Sequence, residues 1–143
     1  MSTLSDQHHR IAGVSSLRIE AYRDRLVEDH GHDPRSAYSS QYWLPILGPS
    51  SLVAARFLVD GLDRSPAGYE VELVSFGHAL GIPGGAGRNS RICRTLERLS
   101  AFGLATFHAT ATPLYRVRLA WPPLTQRQLA RLPAFLAELH PAA

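Results

Sequence analysis

Three arginines recur along one side of a predicted helix in the second half of the chain. They are Arg91, Arg94 and Arg98. At about 100° per residue they share a narrow sector of the helix, and Ile92, Leu96 and Leu99 share another that is almost opposite. Guanidinium groups bind phosphates and guanine edges, but they also occupy ordinary solvated helix faces. The pattern alone therefore fits either a helix that binds a polyanion or a solvated face.

The ends of this helix are predicted by residues that favour helix caps. Asn89 or Ser90 supplies the N-cap, and Gly103 follows Phe102 as a residue that ends a helix, which predicts a helix over residues 88–102. The segment before it, 81–87, contains four glycines and one proline. We expect it to be the most flexible connection in the chain.

Positive charge is concentrated in the half of the chain that carries this helix. The chain has 143 residues and a net charge of +3, and its hydrophobic fraction of 45% is sufficient for one domain with a core. Residues 1–72 contain 7 arginines and 10 acidic residues, whereas residues 73–143 contain 8 arginines and 2 acidic residues. This asymmetry favours a polyanionic partner for the second half.

The composition also excludes several classes of chemistry. All 15 basic residues are arginine, so a P-loop lysine, a Schiff base and a Ser-Lys dyad are excluded. Cys93 is the single cysteine, which precludes an intrachain disulfide and suits a reducing compartment. No apolar run is long enough for a membrane helix or resembles a signal peptide, so we expect a cytoplasmic protein without a membrane partner.

The first third of the chain divides into a tail and an N-terminal flank. Residues 1–12 are polar, and we expect them to be disordered. Residues 13–47 form the flank, in which apolar and charged residues from Val14 to Asp29 predict an amphipathic helix ended by Gly31 and Pro34. An aromatic-rich stretch over 38–47 is expected to pack beneath the core.

The central region, 48–121, changes period along its length. It begins with a predicted helix over 49–60 that Gly61 closes, and a strand at 69–72 and a helix at 73–80 follow. After the arginine helix the period becomes two, which predicts a hairpin over 104–120 whose second strand carries Arg116 and Arg118 on its outer face.

The last region, 122–143, is a predicted C-terminal helix. Thr125 and Gln128 have the spacing of a capping box, and leucines follow at helical intervals until Pro133 kinks or splits the helix. A terminal helix this apolar either folds back on the core or meets a second subunit. We expect a homodimer.

The order of elements from Pro49 to Ala120 resembles a winged helix-turn-helix domain of the bacterial MarR-like transcriptional regulators. Residues 73–82 look like the first helix of the helix-turn-helix, and residues 91–104 look like the recognition helix and its exit into the wing. The glycine-rich connection between them is longer than the usual turn. The resemblance implies an α+β, mostly helical fold: a winged helix-turn-helix with N- and C-terminal flanking helices.

The same resemblance implies a transcriptional regulator that binds double-stranded DNA in a sequence-specific manner. Helix 88–102 would enter the major groove, and hairpin 104–120 would be the wing. Major-groove contacts would come from Asn89, Ser90, Arg91, Arg94 and Thr95. Phosphate or minor-groove contacts would come from Arg88, Arg98, Thr110, Thr112, Arg116 and Arg118.

No enzyme, cofactor or metal site is predicted. A dinucleotide fingerprint beginning at Gly85 would need glycine where Ser90 stands, and no nucleophile elbow frames any serine. His30, His32 and Asp33 lie close together in the sequence, but no further pair of ligands completes a zinc spacing.

Three alternatives stay open at this point. The arginine helix could belong to a winged-helix protein-interaction module that does not bind DNA. Cys93 could be a thiol switch or a packing residue. Tyr38, Tyr42 and Trp43 could line an effector pocket, although packing is their commoner role.

Overall fold

The chain folds into helices packed on one face of a four-stranded sheet, which makes it an α+β protein. The computed structural model describes residue 11, residues 13–85 and residues 90–141. A π-helical turn, Ser39–Trp43, leads into the short helix that begins at Leu44. The elements are β1 Ser16–Tyr22, α1 Arg25–His30, α2 Leu44–Leu47, α3 Pro49–Arg64, β2 Tyr69–Glu72, α4 Leu73–Ala79, α5 Arg91–Ala101, β3 Ala105–His108, β4 Leu114–Arg118, α6 Gln126–Leu129 and α7 Ala134–Leu139.

The sheet is mixed, and its strand order is β2-β1-β4-β3. β1 pairs antiparallel with β2 and parallel with β4, and β3 pairs antiparallel with β4. Leu17 lies opposite Val71, and Ile19 lies opposite Tyr115. A strand from the N-terminal flank therefore separates the two later parts of the sheet.

The predicted amphipathic helix from Val14 to Asp29 is wrong, because this stretch forms β1 and the short helix α1. Leu17 and Ile19 are fully buried with Ala21 packed beside them, so the apolar period is two. β1 has hydrogen-bonded partners on both sides, so tertiary pairing outweighs the helical pattern. The N-terminal flank thus begins with a strand.

The aromatic-rich stretch packs into the core, as predicted. Tyr42 and Trp43 are buried, and the Trp43 indole N–H donates to the carbonyl of Pro122 at 3.0 Å. The Trp43 ring also meets Trp121 edge to face. Trp121 in turn exchanges two backbone hydrogen bonds with His32. The flank and the chain that follows β4 are therefore fastened together here.

The predicted helix beginning at Pro49 is confirmed as α3, but Gly61 does not end it. α3 continues to Arg64, because Gly61 is a buried position inside the helix. The Tyr69 hydroxyl packs against Gly61 and donates to the carbonyl of Leu58 at 2.7 Å. A Cβ at position 61 would lie 2.3 Å from that hydroxyl oxygen, so glycine makes room for it.

The second half follows the predicted order of elements more closely. α4, α5 and the β3–β4 hairpin all form, and Gly103 adopts a φ of 73° directly after α5. The capping box of Thr125 and Gln128 is present at α6, and α7 starts after Pro133. Within the described part of the chain, no helix has the length and apolar character needed to cross a membrane.

Candidate nucleic-acid interface

Helix α5 is held by its apolar face and by hydrogen bonds to its backbone. Ile92, Leu96 and Leu99 are buried in the core. Two hydroxyl groups donate to carbonyls of the helix: Ser51 Oγ to Thr95 O at 2.9 Å, and Tyr115 Oη to Leu96 O at 2.7 Å. These contacts fix the rotation of α5 about its axis and thereby decide which side chains face outward.

The first turn of α5 has a defined cap. The Ser90 hydroxyl oxygen accepts a hydrogen bond from the backbone N–H of Cys93 at 3.2 Å. Ser90, one of the predicted major-groove contacts, therefore serves as the N-cap. Arg88 and Asn89 lie outside the described residues.

Arg91 and Arg94 are the exposed arginines in the first half of α5. Both side chains face solvent, and no carboxylate among the described residues forms an ion pair with either. An unneutralised guanidinium group keeps its full attraction for a phosphate or a guanine edge. The structure thus brings these two predicted contacts together on one surface.

Arg98 has a structural role that the sequence did not indicate. Its Nε donates to Leu47 O at 2.7 Å, and its Nη2 donates to Ile46 O at 2.9 Å. The guanidinium group also lies 5.4 Å from the centre of the Phe102 ring. Arg98 therefore binds the C-terminal carbonyls of α2 and fastens that short helix to α5.

Thr95 is not available for the predicted contact in the major groove. The residue is only 8% exposed, because the N-terminus of α3 covers this side of α5. On a helical projection Thr95 lies between the arginine face and the apolar face. Packing of α3 against α5 buries it.

The predicted wing carries two arginines that are already paired. Arg118 donates to an Asp24 carboxylate oxygen at 3.0 Å and to Gly103 O at 2.8 Å, and it stacks over Tyr22. This hydrogen bond from Arg118 holds the pKa of Asp24 below its ordinary value. Arg116 is more exposed, and its nearest carboxylate oxygen, on Glu20, is 3.8 Å away.

Thr110 and Thr112 lie in the exposed loop between β3 and β4. The Thr110 hydroxyl donates to the backbone carbonyl of Thr112. This local hydrogen bond shapes the tip of the hairpin, and the Thr112 side chain stays exposed.

A groove of about 640 Å³ borders the exposed face of α5. It runs between the α2–α3 junction at Gly48 and the side of α5 that carries Arg94, Glu97 and Arg98. Glu97 accepts a hydrogen bond from the backbone N–H of the fully buried Ile11 at 2.7 Å. Ile11, which the sequence assigns to the polar tail 1–12, is therefore anchored on α5.

The other candidate sites are occupied by protein contacts. Tyr38, Tyr42 and Trp43 pack against the chain after β4 and against the C-terminal residues, which accounts for their packing role. Cys93 is buried with its sulfur 3.7 Å from Ile11 O. No group of three metal-ligating side chains occurs among the described residues, and the Asp33 carboxylate is bound by Arg35.

Comparison of the chain with protein-family models, curated proteins and solved structures gave no match.

The sequence did not predict the long-range contacts that hold α5 and the arginines around it in place. Arg98, Asp24 and Glu97 each bond to a residue more than fifty positions away in the chain. No local pattern signals such pairs. The capping position of Ser90, by contrast, follows directly from its place before the helix.

Proposed function

We propose that this protein is a winged helix-turn-helix DNA-binding regulator that reads double-stranded DNA with α5. α3, β2, α4, α5 and the β3–β4 hairpin follow one another in the order of that domain. β1 is an addition to it, inserted between β2 and β4. Both neighbours keep the antiparallel relation to each other that the domain requires.

The observation that carries the proposal is the exposed and unneutralised pair Arg91 and Arg94 on a helix whose opposite face is buried. Arginine donates two parallel hydrogen bonds to O6 and N7 of guanine, which suits a helix lying in the major groove. Ser90 lies beside them at the start of the helix. The remaining supports are the surplus of arginine in residues 73–143 and the exposed hairpin that follows α5.

The structure divides the other predicted contacts by their availability. Arg116, Thr110 and Thr112 are exposed and suit phosphates or a minor groove beside the wing. Arg118 contributes only if it leaves Asp24, and Arg98 positions the helix. We therefore propose that base contacts come from the first half of α5.

The direct test selects bound sequences from a random duplex library with the full chain and then measures affinity by fluorescence anisotropy at several salt concentrations. We expect Arg91→Ala combined with Arg94→Ala to weaken binding by about 30-fold or more, since each base-reading arginine contributes about 1–3 kcal/mol. The salt dependence should also become shallower, because fewer counterions are released.

A matched control separates recognition from net charge. Arg127→Ala combined with Arg131→Ala removes the same charge from exposed positions around the end of α6. We expect this variant to bind almost as tightly as the native chain. Equal losses in the two variants, or no binding by the native chain at low salt, would refute the assignment of α5.

We further propose that the protein acts as a homodimer that reads two half-sites. Phe135 and Leu139 form an exposed apolar pair, four residues apart, on the terminal helix α7. Sedimentation velocity of the native chain and of Phe135→Ser with Leu139→Ser tests this. A native chain that stays monomeric both free and on a selected site would contradict it.

The alternative function is a protein-interaction module in which Arg91 and Arg94 meet an acidic partner. The pairing of Arg118 with Asp24 favours it, since a wing held by its own protein has less charge to offer DNA. The selection experiment discriminates the two functions, because this alternative enriches no duplex sequence.

A further inference from the structure

Two buried hydroxyl groups bind consecutive carbonyls of α5 from different elements of the fold. Ser51 on α3 donates to Thr95 O at 2.9 Å, and Tyr115 on β4 donates to Leu96 O at 2.7 Å. Ser51 is only 2% exposed, and Tyr115 is fully buried. A carbonyl oxygen has two lone pairs, so it can accept such a bond in addition to the hydrogen bond within the helix. We call Ser51 and Tyr115 the hydroxyl pair.

The hydroxyl pair restrains the rotation of α5 in a way that its apolar contacts do not. Burial of Ile92, Leu96 and Leu99 is favourable in proportion to the area removed from water and has no preferred direction. A hydrogen bond, by contrast, weakens steeply outside a narrow range of distance and angle. Consecutive residues lie about 100° apart around the axis of an α-helix. The two bonds therefore hold α5 from two directions, one through α3 and one through β4.

The rotation of α5 decides where the guanidinium groups of Arg91 and Arg94 lie. Side-chain ends lie about 5–6 Å from a helix axis, so a rotation of about 20° moves them by about 2 Å. The paired hydrogen bonds to O6 and N7 of guanine tolerate a change of only about 0.5 Å in donor–acceptor distance. The attraction between an arginine and the phosphates depends much less on such a shift. A small rotation would therefore weaken base recognition and leave the charge attraction almost unchanged.

We propose that Ser51 and Tyr115 are specificity-determining positioning residues, which hold α5 at the rotation that lets Arg91 and Arg94 recognise bases. This inference rests on the proposed function of α5 as the helix that reads DNA. It gives two residues that are buried, and so do not touch DNA, a part in sequence recognition. It also gives the β3–β4 hairpin a second role, because Tyr115 connects β4 to α5.

Residual dipolar couplings of the free chain test the restraint without DNA. The variants are Tyr115→Phe, Ser51→Ala and their combination, which remove the hydroxyl groups and keep the rest of each side chain. Couplings of the Cα–Hα bonds report the rotation of a helix, because these bonds point away from its axis. We expect the couplings of residues 91–101 in the double variant to fit the native rotation of α5 relative to α3 no longer. Couplings that still fit it would overturn the proposal.

DNA binding tests the consequence for specificity. Each folded variant is titrated, at one salt concentration, with a duplex selected by the native chain and with an unrelated duplex of the same length. We expect the ratio of the two affinities to fall about tenfold or more in the double variant. Affinity for the unrelated duplex should change by less than about twofold, because the charges stay the same. An unchanged ratio would refute the role in specificity. If the double variant does not fold, the single variants are compared in the same way.

Tyr69→Phe is the matched control. Tyr69 Oη donates to Leu58 O at 2.7 Å, so this change removes the same type of bond, at the same length, from α3 instead of α5. We expect this variant to keep both the native rotation of α5 and the native ratio of affinities. Equal losses in Tyr69→Phe and Tyr115→Phe would assign the effect to general destabilisation and refute the positioning role.

The failure of this inference can be distinguished from the failure of the proposed function. A native chain that binds every duplex alike would refute the proposed function, and the inference with it. A native chain that selects a duplex, together with a double variant that selects it equally well, would refute the inference alone.

Discussion

Substitution of Arg98 tests whether this residue contacts DNA or instead positions α5. The change to test is Arg98→Met, which keeps an aliphatic side chain against Phe102 but removes the donors to Ile46 O and Leu47 O. A hydrogen bond from a charged donor contributes about 1.5–3 kcal/mol when it is shielded from water. Arg98 is partly solvated, so we expect a loss of about 1–3 kcal/mol for both bonds together.

Urea unfolding followed by circular dichroism measures this loss. A change of about 2 kcal/mol with a slope of about 2 kcal/mol per M shifts the midpoint down by about 1 M. Arg94→Met is the matched control, because it removes the same type of side chain from the same helix without breaking a described hydrogen bond. We expect its midpoint to stay within about 0.3 M of the native chain, since surface changes usually cost little.

DNA affinity measured on the same variants completes the test. Under the proposed function, Arg94→Met weakens DNA binding strongly at unchanged stability, and Arg98→Met lowers stability with a smaller effect on affinity in folded protein. An Arg98→Met chain that is as stable as native but fails to bind DNA would refute the positioning role. Arg98 would then be the phosphate contact that its place on the helix predicts.

Two further predictions concern ion pairs. Arg35→Met should destabilise the protein by about 1–2 kcal/mol at pH 7, because Arg35 binds Asp33 and two carboxylates of α3. Arg35 lowers the pKa of Asp33, so this stabilisation is present above about pH 4 and is lost as the pH falls further. The difference between the urea midpoints of the native chain and Arg35→Met should therefore be smaller at pH 3 than at pH 7. Asp24→Asn should raise DNA affinity several-fold at low salt by freeing Arg118, which Asp24 binds, whereas Asp29→Asn, an exposed change of equal charge on α1, which Asp24 caps, should have a smaller effect.

Local signals in the sequence were sufficient for the type and order of the elements from Pro49 onward. The cap at Ser90, the glycine at 103 and the alternation in β4 each act within a few residues, so they predict structure reliably. The predicted end of α3 at Gly61 was wrong, because a glycine near the end of an apolar pattern usually ends a helix. Here it makes room for the ring of Tyr69, which arrives from the next element.

The N-terminal strand could not be recognised from its own residues. Leu17 and Ala21 are four apart, as in a helix, while Leu17 and Ile19 are two apart, as in a strand. The strand is favoured over the helix because β1 can pair with both β2 and β4, and this pairing exists only in the folded sheet. The hydrogen bonds from Arg98 to the carbonyls of α2 could not be predicted for the same reason, because they form only in the folded protein.

The inserted strand also decides where positive charge remains on the surface. β1 brings Glu20 alongside Arg116 and leads directly to Asp24, which binds Arg118, so the outer face of the β3–β4 hairpin carries both signs of charge. Arg98 is withdrawn to the carbonyls of α2. Of the predicted contact arginines that the structure describes, Arg91 and Arg94 are thus the two left without an ion pair or a carbonyl partner. Because screening shortens the reach of charges to about 10 Å in 0.1 M salt, the proposed DNA contact depends more on these two arginines than on the paired arginines of the hairpin.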